Sequence, residues 1–408
     1  MADPRPAPAV PRLVLAIVLV AAVGSVVAAF AAGIVASHKT PRIADAVYGA
    51  MHAVGHPVLV LIKGNPKPAP TPPAPPLAEM AANTFRVIQG PEPVTGTVLV
   101  GLRGRVKGYP QRIVEVDRAG HVVWQFNTPE TGSLHDIRKL PNGDVLYSVD
   151  DEPAYVLAAQ GSGSGGTVVE VNRAGVEVRK VKAHVTHQAD MLANGNLLLV
   201  DGQRDEVSEI DPQGALVWDW KASDHILPYT ASTFVGWDPY ANITNWFTDQ
   251  LAANSVKGRE DRYHTNSAQR LANGHTLISL RNADVVVEVD TAGNIVSSYG
   301  ALILKHQHCG FVIDDGLPGA GHLLVTDNGN ARVIEVDRAT QEIVWSFDQG
   351  LLIPYQGCAN RLPNGDTFIT DAEHNRVLEV TPSKQVAWQM YIEIPATFGL
   401  YRAWWSPS

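Results

Sequence analysis

Histidine returns four times in this chain ahead of one local pattern: a leucine-type residue, a glycine, then an apolar run. The segments are HDIRKLPNGDVL from His135, HQADMLANGNLL from His187, HTNSAQRLANGHTLI from His264 and HCGFVIDDGLPGAGHLL from His308. A fifth copy, YQGCANRLPNGDTFI from Tyr355, keeps the pattern and has no histidine. One imidazole alone is more often a packed core residue than a catalyst. A repeat that returns the ring to matching positions can gather several rings at one place, where they can act as nucleophile, acid, base or metal ligand.

Other polar groups without evident structural duty lie near these copies. Asn266 and Ser267 follow His264, Arg281 ends the apolar run TLISL, and Asp327, Asn328 and Arg332 fall in VTDNGNAR. Histidine with arginine and asparagine suits a tetrahedral oxyanion, because arginine offers forked charged donors and asparagine neutral ones. No carboxylate pair stands at matching positions, which disfavours glycosidase chemistry. The only two cysteines, Cys309 and Cys358, each lie four positions ahead of a leucine-type residue, Ile313 and Leu362. Separate small core residues are the favoured expectation for them, and a disulfide between neighbouring repeats is the alternative. No CxxC pair or repeated Cys/His spacing indicates a structural zinc.

The elements that must position these groups are short strands. RIVEVDRAGHVVWQF, TVVEVNRAGVEVRKV, EVSEIDPQGALVWDW, VVVEVDTAGNIVSSY, RVIEVDRATQEIVWSF and RVLEVTPSKQVAWQM alternate apolar and polar residues with period two and turn at an acidic, mostly glycine-containing hairpin. They alternate with the LxNG-type hairpins, so each unit supplies about four strands over roughly 40–50 residues, which is the signature of a β-propeller. Six copies of this strand element, four of them reading E-x-D and the others E-V-N and E-V-T, predict an all-β, six-bladed β-propeller, with GTVLVGL near residue 96 and LYRAWW at the end pairing in a mixed first blade. Seven blades or an open stack are the alternatives.

The 77 residues from His187 to His264 contain the one large departure, a segment over 222–263 expected to lie over one mouth of the propeller as a lid. A peripheral packing insert is its other reading. Its aromatic residues include Trp237, Tyr240, Trp246 and Phe247. Residues 1–12 form an N-terminal tail, and the uncharged, apolar run 13–37 is long enough for a transmembrane signal anchor. A juxtamembrane segment and Pro-rich linker occupy 38–82, and the propeller domain 83–408. At 408 residues, 18% charged and with net charge −9, the chain has room for one large repeat core and lacks the basic surface of a nucleic-acid binder.

Over most of residues 96–405 the order of these motifs resembles the bacterial arylsulfate sulfotransferases. The carrying residues are H…ANGNLLL…EID, then YHTNS, a strand ending in Arg281, QHC at His308, DNG.AR, and YRA near the end. The resemblance implies a six-bladed, exported or periplasmic propeller that moves a sulfuryl group from an aryl sulfate to a phenol through a transiently sulfated histidine, with no nucleotide cofactor. It makes His308 the nucleophile and His187, His264, Asn266 and Arg281 the acid/base and sulfate-binding groups. Trp237, Tyr240, Trp246, Asn328 and Arg332 are then substrate-binding candidates, no metal or cofactor is called for, and His135 has no assigned role. The family usually has Asp after the QH histidine, where this chain has Cys309. Two other classes remain open at this stage: a non-catalytic, membrane-tethered propeller binding a ligand or protein, and a metal-dependent lyase or hydrolase built on the histidines.

Overall fold

The computed structural model describes residues 84–89, 95–104, 111–130, 132–150, 165–225, 263–300, 303–351, 357–395 and 398–407. Among these, the strands form six antiparallel sheets of four, one of which carries a fifth strand. In blades 2 to 6 the strands follow chain order, beginning with a short, largely buried inner strand. The inner strands are Leu134–Lys139, Gln188–Met191, Thr265–Arg270, Cys309–Val312 and Ala359–Arg361. The outer strands alternate towards water, as in Glu177–Ala183 with exposed Val178 within it and Val176 just before it.

Blade 1 is composite. Its inner strand is Phe398–Ser406, which pairs antiparallel with Thr97–Gly104, followed by Arg112–Asp117 and Val122–Asn127. The first described strand, Thr84–Gln89, adds to the outer edge of blade 6 against Val386–Glu393. The period-two pattern therefore builds the six-bladed all-β propeller that the six repeated strand elements predict. Neither seven blades nor an open stack fits, because apolar packing closes the circle.

That packing falls into six buried clusters, one at each blade boundary. Leu140, Leu146 and Val168 of blade 2 meet Leu197, Leu199 and Ile210 of blade 3. Val98, Val100 and Leu102 of blade 1 meet Phe368, Trp388 and Met390 of blade 6, which seals the ring. The glutamates of the E-x-D elements add ties at the same boundaries. Glu209 pairs with Arg270 at 2.7 Å, and Glu288, Glu335 and Glu379 pair with Arg338, Arg361 and Arg118 of the next blade. Their carboxylates are buried, so the partner cation is what makes the buried charge tolerable.

Cys309 and Cys358 form a disulfide with Cα atoms 5.3 Å apart, which overturns the expectation of two separate core thiols. The physical reason is their common register. Both stand at the start of inner strands, where neighbouring blades 5 and 6 come closest to the axis. The expected membrane span 13–37 and the linker 38–82 lie outside the described residues, and no described helix is long and apolar enough to cross a membrane.

Candidate active site

Pairing register shows which residues share a level around the axis. Arg402 faces Gly101, which faces Ile113, just as Cys309 faces Thr326, which faces Val333. Ile113 and Val333 hold the same place in their R-x-x-E elements, so Arg402 is level with Cys309 and Tyr401 with His308. Counting back five residues from each leucine-type residue completes that ring: Tyr401, His135, His187, Asn266, His308 and Gly357. Three histidines match. His264 stands two residues earlier, ahead of its strand, and Asn266 takes the matching place, so the four histidines are not equivalent as their spacing suggested.

They nevertheless converge. Ring centroids are 5.6 Å apart for His135 and His187, 4.7 Å for His187 and His264, and 6.2 Å for His187 and His308. Tyr401 closes the other side, edge-on to His135 at 5.6 Å and to His308 at 6.3 Å. His264 reaches in because its backbone is left-handed, with φ +51°, a conformation that histidine adopts more readily than most residues. His306, in the corresponding turn before blade 5, has φ +47°. Both turns are stitched to the one loop that runs from Arg281 to Asp284. The Arg281 amide donates to the His264 carbonyl at 3.2 Å, and the His306 amide to Asp284 at 2.6 Å.

The rings differ in their freedom. His135 is fully engaged: its Nδ1 lies 3.0 Å from an Arg103 guanidinium nitrogen, which can only donate, so its Nε2–H must donate to Asp150 at 2.7 Å. Arg103 also stacks on Tyr401 at 3.8 Å. His187 Nε2 lies 3.1 Å from His264 Nε2. His308 contacts Cys309 Sγ through Nδ1 at 3.6 Å, and its ring also hydrogen-bonds the Gly357 backbone.

Electrostatics keep the buried rings neutral. Burial pushes His308 well below the ordinary imidazole range, and the nearby Arg402, His264 and Arg281 push the same way. Burial and then His264, His135, His308 and Arg402 do so for His187. Arg402 is buried, with one guanidinium nitrogen 2.9 Å from Asp136 on the neighbouring blade. A neutral imidazole with cations around it is an available nucleophile that forms no cation itself until it reacts, in surroundings that favour an incoming anion.

Other predicted residues fall differently. Arg281 is buried at the start of a single turn, Arg281–Ala283, and its charge reaches His308 and His306. Asn266 is buried and donates to the Gln307 carbonyl at 2.9 Å, so it braces the residue before His308. Asn328 is buried at the start of the equivalent turn in blade 5. Arg332 donates to Asp327 at 2.7 Å and to the Ile303 carbonyl at 2.9 Å, a tie that Arg376 and Asp371 repeat in blade 6. That repetition marks Arg332 as a pin of the fold. Trp237, Tyr240, Trp246 and Phe247, with residues 226–262 of the expected lid, lie outside the described residues. Sequence reasoning gave no role to Tyr401 and Arg402, which entered only as part of the YRA motif, and passed over Arg103, Asp150 and His306.

Among the described residues, one group of His, Cys, Asp or Glu donors lies close enough to hold a metal: His308, Cys309 and Cys358, within 4.8 Å of one another. Its two sulfurs are joined to each other and so offer no thiolate.

Residues 114–301 match the family model for arylsulfotransferases, Arylsulfotransferase (ASST). The match takes in His135, His187, His264, Asn266 and Arg281 and stops short of His308, Tyr401 and Arg402. No curated protein matches the chain. Similar solved structures include a protein of unknown function from Bacteroides caccae, at 14% identity and TM-score 0.49 over 74% of this chain and 94% of that one. A catalytically inactive virginiamycin B lyase from Staphylococcus aureus with quinupristin is similar at 10% identity and TM-score 0.42 over 74% and 87%. Likenesses at this level carry no argument about activity.

Proposed function

We propose that this chain is an aryl sulfotransferase that moves a sulfuryl group from an aryl sulfate to a phenolic acceptor through a sulfated His308, without a nucleotide cofactor. The family match supports a sulfotransferase-type enzyme. The observation that carries the finer reading is His308 itself: a buried ring held neutral, with Arg402 and Arg281 near enough to depress its basicity.

In the first half-reaction the His308 nitrogen remote from Cys309 attacks sulfur in line, the S–O bond to the aryl group breaks, and the departing phenolate takes a proton from His264. Sulfuryl transfer resembles phosphoryl transfer in its loose, charge-spread transition state, so most of the catalysis is positioning and electrostatic clamping. Arg402 and Arg281, whose charges both reach His308, supply the positive charge of that clamp. In the second half-reaction His264 takes the proton of the acceptor phenol, its oxygen attacks sulfur, and the N–S bond to His308 breaks. His135, with both nitrogens occupied, holds Arg103 and Tyr401 in place and moves no proton.

The disulfide supports placing the domain in an oxidising compartment, with segment 13–37 as the membrane anchor and the propeller on its extracytoplasmic side. The experiment is incubation with p-nitrophenyl sulfate, followed by mass spectrometry of the intact protein and of its peptides. One added SO3 on His308, absent from His308→Ala, is expected. Turnover by His308→Ala at the wild-type rate removes the assignment.

A further inference from the structure

Behind His187 runs a hydrogen-bonded chain that ends on a carboxylate. Thr186 Oγ1 donates to Asp201 Oδ1 at 3.2 Å and accepts the Gly202 amide at 2.9 Å. The same oxygen lies 3.1 Å from His187 Nδ1, and His187 Nε2 lies 3.1 Å from His264 Nε2. Thr186 and Asp201 are buried, and the Gly202 position has no room for a side chain, since a Cβ there would come within 2.8 Å of the His187 ring.

Hydrogen counting along this chain leaves one arrangement. A carboxylate only accepts, so the single Thr186 hydroxyl proton points at Asp201. The Thr186 oxygen must then accept from His187, which puts the His187 proton on Nδ1. His187 Nε2 is therefore bare, and His264 must donate to it from its own Nε2. When His264 carries a second proton, on Nδ1, its cation is backed by a neutral imidazole whose far end leads through a hydroxyl to a carboxylate.

We propose that Thr186 and Asp201 are positioning residues that lock the tautomer of His187 and so make His264 the proton-carrying member of the pair. The catalytic consequence rests on the sulfuryl-transfer reading; the tautomer does not. Without the lock, His187 can turn its proton to Nε2, where two N–H groups would face each other across 3.1 Å and the support for a protonated His264 is lost.

The test is Thr186→Val, which keeps the shape and removes the hydroxyl, with Thr186→Ser as the conservative control. Imidazole 15N spectra, assigned with His187→Gln and His264→Gln, should show wild-type His187 protonated at Nδ1 and bare at Nε2. Thr186→Ser should keep that pattern and Thr186→Val should lose it. In kinetics, Thr186→Val should slow phenyl sulfate, a poor leaving group that needs the proton, about 10- to 100-fold, while p-nitrophenyl sulfate changes by no more than about 3-fold. Thr186→Ser should restore both rates. A wild-type His187 protonated at Nε2 overturns the proposal, as does an equal loss on both substrates in a Thr186→Val protein that melts at the wild-type temperature. If the wild type transfers nothing from any aryl sulfate, the enzymatic reading fails while the spectra still decide the tautomer.

Discussion

Asp284 closes the turn that begins with Arg281, at a left-handed φ of +53°, and its carboxylate accepts the His306 amide at 2.6 Å. Burial raises its carboxyl from 3.8 to about 6, against the His306 amide and with the help of Asp327. Because the folded value lies above the unfolded one, the folded state binds more protons between about pH 4 and 6. Stability contributed by this group is present below about pH 4, is lost as pH rises to about 6, and stays lost above. A gap of about two units at about 1.4 kcal/mol each gives a penalty of about 3 kcal/mol at neutral pH, an upper bound because Asp284 keeps some contact with water. Asp284→Asn removes the charge, keeps an acceptor for the His306 amide and suits the left-handed backbone. It should raise the apparent melting temperature at pH 7 by roughly 2–4 °C for a domain of this size. The assay is paired melting of both proteins from pH 4 to 8. The difference should vanish near pH 4, grow to pH 6 and then hold constant. A difference that is flat across this range, or a destabilised variant at pH 7, refutes the account of Asp284.

Three further outcomes are expected. Replacing Cys309 and Cys358 together by Ala opens a crosslink of sequence separation 49, for which the chain-entropy estimate is about 4 kcal/mol; urea unfolding with and without reductant should show the loss only in the wild type. Arg402→Met should shift the acid limb of kcat/KM for aryl sulfate to higher pH, because a cation that disfavours protonation of His308 is gone; it should also cost about 3 kcal/mol of stability, softened by the Arg138 that remains on Asp136. Buried His135, His187 and His308 all have folded basicities depressed, chiefly by burial. Their contribution is therefore full above about pH 6.5 and is lost as pH falls below it, and His187→Gln should flatten the decline of melting temperature between pH 6.5 and 5.

The fold was legible because its signals are local. Strand alternation, the turn glycines and the E-x-D cadence are each written within about fifteen residues, and they repeat. The convergence of histidines was legible for the same reason, apart from the two-residue offset of His264, which the run HTNSAQRL conceals until strand register is known. What escaped comes from segments far apart in sequence. Tyr401 and Arg402 stand in the last strand, Arg103 in the second described strand, and Asp150 and Asp201 at the ends of second strands whose charges face inward only after the ring closes. The Cys309–Cys358 crosslink was visible as equal register, but register alone says nothing about how near two inner strands approach. Arg332, whose surroundings read like a site in the sequence, makes with Asp327 the same tie that Arg376 makes with Asp371 in blade 6.

Blade 1 takes its inner strand from the far end of the chain, so Phe398–Ser406 meets Thr97–Gly104 across about 300 residues of sequence. During synthesis, blades 2 to 5 can form by local pairing while blade 1 still lacks its centre. His135, His187, His264 and His308 would then be present without Tyr401 and Arg402, and so without part of the burial and of the positive charge that lower the basicity of His308. A growing chain therefore carries the histidines of blades 2 to 5 before the ring that surrounds them is complete. The closing seam thus ties the assembly of the histidine cluster to the last strand of the chain.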